Sequence, residues 1–176
     1  METFTTAIEP IENPFFDRNK TQALRSLDPD DIDKPILNMI NRFNEFPFAF
    51  TLQCCYGHFL YGSQKDEHNL LPLPEYDPGM ITYRIAYLAF CIKEDKTGLR
   101  FRDSLMKLQE IDKDLIQFGS ADWFLERYVN SYVLQVEPER FKYQDTAQLT
   151  WKEALNIEKI RHLFFTEIND LLLNFR

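Results

Sequence analysis

The run Gln53-Cys54-Cys55-Tyr56-Gly57-His58 gathers two thiols, an imidazole and a turn-forming glycine. An imidazole beside a thiol lowers the thiol pKa and can take its proton. Cys55 and His58 are therefore the residues this sequence offers as nucleophile and base. The competing reading is a pair of small buried hydrophobes, the commoner fate of free cysteine. Adding His68 assembles three metal-ligand side chains, Cys55, His58 and His68. Their spacing matches no standard zinc pattern and the paired C-x-x-C is missing, so no metal is expected. Arg84 interrupts an apolar segment and Arg127 sits in an aromatic one. Either guanidinium could hold a carboxylate or phosphate from within a concave sheet, the alternative being a solvated edge or a structural ion pair. His162 falls between apolar positions near the end of the chain and reads as a partly buried packing residue. There is no GxGxxG, Walker loop, HExxH or GxSxG, which removes the motif-based routes to dinucleotide, nucleotide-hydrolysing, zincin or serine-hydrolase chemistry.

Elements must bring these side chains together, and periodicity predicts which. Ala23, Leu24 and Leu27 share one face of a first helix that begins near Asp17 and stops at Asp28-Pro29-Asp30. A second helix starts near Asp33, with Asp33 as its N-cap and Pro35 in the first turn. Phe48 to Cys55 reads as a strand, and Tyr56-Gly57-His58 as the turn at its end. Strand ends that open into loops are where sites are commonly built. Residues 62–80 carry Gly62, Pro72, Pro74, Pro78 and Gly79 and form a long loop. Met80 to Ile92 alternates as one long central strand. A helix from about Leu99 carries Leu105, Leu108 and Leu115 and is closed by Gly119. Tyr132 to Val136 is a further strand. Thr150 with Glu153 forms a capping box that opens a C-terminal helix of about 25 residues. The order predicts residues 1–14 as an extended arm and 15–176 as a single α+β domain. Its small antiparallel or mixed sheet is flanked by an N-terminal helix pair and the long last helix.

Composition agrees with one packed core. A chain of 176 residues that is 44% hydrophobic, with 16 Phe against 5 Gly, has the material to bury about two-thirds of its unfolded surface. The 28 acidic and 20 basic side chains leave a net charge of −8, which opposes generic binding to phosphate backbones and anionic membranes. Three cysteines, two of them adjacent, do not make a disulfide scaffold and favour a reducing compartment. No basic, apolar leader and no apolar stretch of ~18 residues is present, so the expected location is cytoplasmic, with no membrane partner. The aromatic content and the apolar last helix leave room for a homodimer.

From Phe16-Asp17-Arg18-Asn19-Lys20 through Asp33 and Ile40-Asn41 to Phe50-Thr51-Leu52-Gln53-Cys54-Cys55-Tyr56-Gly57-His58, the chain resembles the family of the third wybutosine-synthesising protein. That family of tRNA base methyltransferases has an FD-x-R-K-like start, an acidic-led second helix and a TTSSCSGR signature. On that signature Thr51 matches the first threonine, Cys55 the cysteine and Gly57 the glycine. Gln53 and Cys54 replace serines, and His58 replaces the arginine. Ile85-Ala86-Tyr87 stands where the family carries Phe-Glu-Pro. Arg127 matches an arginine of a later strand, and Tyr132 to Pro138 looks like the strand ending in Val-Pro. The resemblance implies S-adenosylmethionine as methyl donor and a modified guanosine in tRNA as acceptor, a substrate that the charge of −8 opposes. With the residue reading, it nominates Cys55 and His58 as catalytic, and Thr51, Gly57, Arg84 and Arg127 as substrate-binding. The other function class is a non-catalytic binding or interaction domain in which the cysteines are inert.

Overall fold

The computed structural model describes residues 5–121, 128–142 and 144–175. The elements run β1 (Thr5–Thr6), α1 (Phe16–Ser26), α2 (Leu37–Glu45), β2 (Ala49–Cys55), β3 (His58–Leu60), β4 (Ile81–Arg84), β5 (Ala86–Ile92) and α3 (Lys96–Met106). They continue with β6 (Ile116–Ser120), β7 (Ser131–Val136), β8 (Thr146–Leu149) and α4 (Trp151–Asn174). The fold is α+β. One antiparallel sheet has the order β1-β6-β7-β5-β2 and a second the order β3-β4-β8. The N-terminal arm is stitched onto the larger sheet: β1 pairs with β6, and the Asn130 side chain bonds both the amide and the carbonyl of Ile11.

Two of the expected elements differ in a way that shapes the site. Met80 to Ile92 is two strands in two sheets, not one. The chain bends at Ile85, whose amide bonds the carbonyl of Asp145. Ile81, Tyr83 and Ile85 face the main core, and after the bend Ala86, Leu88, Phe90 and Ile92 do. Two adjacent apolar residues at the bend thus swap the inward face, which a single alternating strand cannot do. The helix expected from Leu99 to Leu115 stops at Met106 and tightens into a 3₁₀ turn over Lys107–Ile111. Gly119 does not close a helix. It lies inside β6, opposite Val133.

α3 begins earlier than Leu99 because Asp95 caps it, its carboxylate accepting from the amides of Thr97 and Gly98. α4 opens as predicted: Thr150 accepts from the Glu153 amide while the Glu153 carboxylate accepts from the Thr150 amide. Removing a cap of this type costs about 1 kcal/mol. Thr150→Ala is therefore expected to lower stability in urea unfolding by about that amount. An unchanged midpoint would mean that tertiary packing alone holds the first turn. α4 then lays Ala154, Ile157, Ile160, Phe164, Ile168 and Leu172 into the core.

Candidate functional site

Three side chains from separate segments meet behind the β2–β3 turn. Asp33 precedes α2, Cys55 ends β2, and His58 begins β3. Their ligand-type atoms all lie within 4.8 Å of one another. Asp33 is not the N-cap that the sequence suggested; α2 starts at Leu37 with Ile36 in the cap position. Its carboxylate turns instead to the β2–β3 turn. There Oδ2 accepts from the Tyr56 amide at 2.7 Å and lies 3.2 Å from His58 Nε2. His58 Nδ1 is 2.8 Å from the Asn69 carbonyl, so it is Nδ1 that carries a proton and donates. Residues 61–80 form the long loop predicted from their prolines, and Asn69 ties it to this ring.

The electrostatics follow from burial and partners. Burial of His58 works against a charge, but the Asp33 carboxylate, the Cys55 sulfur and the Asn69 carbonyl outweigh it and push the imidazole pKa from 6.5 to about 10. Burial would likewise raise the Asp33 pKa; the His58 ring and the Tyr56 amide outweigh it and hold that pKa below the ordinary 3.8. The result is a carboxylate–imidazolium pair. Cys54 faces a different setting: burial, with Cys55 and Asp33 nearby, pushes its thiol up to about 12, so it is an unreactive thiol at neutral pH. Burial also pushes Cys91 up, where it packs with Phe16 and Phe50.

The turn itself is fixed by Gly57 at φ +89°, a backbone conformation open to glycine. Its amide points at Cys55 Sγ, 3.4 Å away, and its carbonyl accepts from Arg161 Nη1 at 2.7 Å. Arg161 is 8% exposed and stacks over Tyr56 and Phe59. It occupies a core position on α4 between Ile157, Ile160 and Phe164. A charged residue inside an apolar stripe is the signal by which sequence reasoning could have found it. Thr51 is engaged structurally, its hydroxyl and amide both bonded to the Asn44 side chain, which pins α2 to β2. His162 is exposed on α4 rather than packed.

In front of the turn the two sheets diverge and leave a cleft of about 540 Å³. Gln53, Tyr61, Glu67, Arg84, Tyr87 and Asp145 contribute to its walls. Arg84 enters it from β4, with Nη1 3.3 Å from His68 Nε2, and Tyr87 donates to Gln53 Oε1 at 3.0 Å. The bend at Ile85 creates this cleft, because it sends Arg84 and Tyr87 into different sheets on either side of it. Of the residues nominated from sequence, Arg84 lines the cleft. Cys55 and His58 lie together behind it without lining it, and Thr51 and Gly57 hold the framework. Arg127 lies outside the described residues. Sequence reasoning missed Asp33 as a partner of His58, and missed Tyr61, Tyr87 and Asp145 as cleft residues.

No helix among the described residues is long and apolar enough to cross a membrane. No family model matches the chain, and no curated protein matches it. Among solved structures the chain is similar to the PH1069 protein from Pyrococcus horikoshii, at 14% identity over 89% of this chain and 91% of that one, with a TM-score of 0.48. A second structure of that protein, from Pyrococcus horikoshii OT3, matches at 12% identity over 94% and 95% of the two chains, with a TM-score of 0.49. A hypothetical protein from Aeropyrum pernix matches at 11% identity over 80% and 95%, with a TM-score of 0.39.

Proposed function

We propose that the cleft between the two sheets binds a nucleoside-type small molecule, S-adenosylmethionine being the ligand that the sequence resemblance nominates, and that the protein transfers its methyl group to a nucleobase. The observation that carries this reading is the cleft: its volume of about 540 Å³ is that of a small-ligand site. Its wall chemistry matches that ligand part by part. Tyr61 and Tyr87 offer faces for a purine, Glu67 and Asp145 offer acceptors for a ribose diol or an ammonium group, and Arg84 offers a fork for an α-carboxylate. One guanidinium against two carboxylates, in a chain of net charge −8, is a poor surface for a run of phosphates. On this reading the acceptor enters as a single base, and contact with a tRNA backbone contributes little to its affinity.

The test is isothermal titration of the protein with S-adenosylmethionine, paired with mass spectrometry of nucleosides from tRNA of a deletion strain. Single-site binding is expected. Arg84→Ala should weaken it by about 10- to 100-fold, the worth of one charge-assisted hydrogen bond. Absence of binding, with no lost tRNA modification, would sink the proposal. Binding without any methylated product would favour the second reading, a non-catalytic binding domain. The burial of Cys55 and the engagement of Thr51 with Asn44 speak for that reading.

A further inference from the structure

Asp33, Cys55 and His58 supply a carboxylate oxygen, a thiol sulfur and an imidazole nitrogen to one point, a donor set suited to zinc. Four features of the cluster go beyond proximity. First, His58 is oriented as a metal-bound histidine is. Its Nδ1 donates to the Asn69 carbonyl, which fixes the ring and leaves Nε2 aimed at the other two residues. Second, Nε2 is buried without a well-formed hydrogen bond, and the Asp33 carboxylate 3.2 Å away meets it as a charge partner. A buried nitrogen whose directional bond is left unmade calls for an explanation. Third, Nε2 and Asp33 Oδ2 are 3.2 Å apart, close to the ~3.4 Å edge of a tetrahedron built on zinc–ligand bonds of about 2.0–2.1 Å. Fourth, His58 is 1% and Cys55 6% exposed, while the Asp33 side chain is 14% exposed, so an ion has a way in past the carboxylate.

We infer that these three side chains form a zinc site with three protein ligands and a fourth position open to water. The donor set suits its burial. A zinc dication held by a thiolate, a carboxylate and a neutral imidazole carries no net charge, and any proton on Nε2 or Sγ leaves to solvent as the metal–ligand bonds form, which avoids the main cost of a metal inside a protein. The residues come from the segment before α2, the end of β2 and the start of β3. The ion would clamp the β2–β3 turn to the helical layer, and through Asn69 to the long loop that supplies Tyr61 and Glu67 to the cleft.

The test uses the full chain, stripped with chelator and titrated with cobalt(II) as a spectroscopic stand-in for zinc. The expected result is saturation at one equivalent with a thiolate-to-cobalt charge-transfer band in the near ultraviolet, abolished by competition with zinc. Cys55→Ser should remove the band and His58→Asn should weaken binding by more than the roughly 10–100-fold that follows loss of an outer-sphere partner. Cys54→Ser, one residue away, should leave both unchanged. Failure of the unmodified protein to bind cobalt or zinc at one equivalent overturns the inference, whatever the variants do. So does a charge-transfer band that survives Cys55→Ser. Neither outcome bears on binding of S-adenosylmethionine at the cleft, which is measured separately.

Discussion

Replacing Asp33 with alanine in metal-free protein is expected to lower stability at neutral pH by about 3 kcal/mol. Breaking one side of a buried ion pair typically costs about 3–5 kcal/mol, because the remaining charge is left without compensation. The lower end applies here because His58, unlike arginine, can shed its proton and stay in place as a neutral ring. The loss also strands the Tyr56 amide, which bonds Asp33 Oδ2 at 2.7 Å. Asp33→Asn should fall between wild type and Asp33→Ala, since an amide oxygen can keep the Tyr56 bond while the charge is lost. Urea unfolding of the three proteins reads this directly. A cost within about 0.5 kcal/mol, the scale of an ordinary surface change, would show that the pair contributes nothing to folding.

The same pair sets a pH window. His58 is raised from 6.5 to about 10 in the folded protein, so its contribution is complete below about pH 6.5 and is lost as pH rises toward 10. Asp33 is lowered from 3.8, so its contribution is complete above that value and is lost as pH falls below it. The advantage of wild type over Asp33→Ala should be greatest between these two ordinary values and shrink steadily on the alkaline side. An advantage that grows from neutral to alkaline pH would contradict an imidazolium at His58.

How far the sequence could carry these conclusions depends on whether a signal is local. The capping box at Thr150 and Glu153 and the apolar stripe behind it lie within one helix, and α4 was legible almost to the residue. The strand to Cys55, the turn at Tyr56-Gly57 and the proline-rich loop were legible for the same reason, whereas His58, read as part of that turn, opens β3 and finds its partner strand β4 more than twenty residues on. Asp33 was not. Its type and its place before Pro35 fit an N-cap, and only the three-dimensional path of the chain shows that the carboxylate serves Tyr56 and His58 instead. The bend at Ile85 left no distinct local trace, because every residue from Ile85 to Ile92 is apolar, and the contact that marks it is with Asp145 sixty residues away. β6 was lost because Gly119 read as a helix stop, while its pairing with Val133 is a non-local fact. The cysteine–histidine pairing was foreseeable from spacing. Its third member was not, because sequence reasoning had already given that carboxylate another task.

Gly57→Ala is the substitution that best separates a binding role for this glycine from a structural one. An added Cβ would stand 2.9 Å from Ala86 Cβ and 3.0 Å from both Tyr83 Cε2 and Tyr83 Oη. The Tyr83 ring is fully buried and its hydroxyl accepts from the Ala86 amide while donating to the Val136 carbonyl, so it has little room to yield. The backbone at φ +89° adds its own strain for any side chain with a Cβ. Strain of about 1–3 kcal/mol and overpacking of a similar size together give an expected loss of about 3 kcal/mol. For a chain of this length that corresponds to a drop in Tm of roughly 6–12 °C. The turn would shift away from Ala86, carrying Cys55 and His58 with it and loosening the Arg161 bond to the Gly57 carbonyl. Cobalt binding at the cluster should therefore weaken in parallel with stability, while Gly79→Ala, where nothing lies within 4 Å of the added carbon, should leave the metal titration unchanged. A Gly57→Ala protein that melts like wild type yet no longer binds S-adenosylmethionine would reverse the assignment. Gly57 would then act in ligand binding, the role the signature resemblance implies, and the contacts to Ala86 and Tyr83 would be incidental.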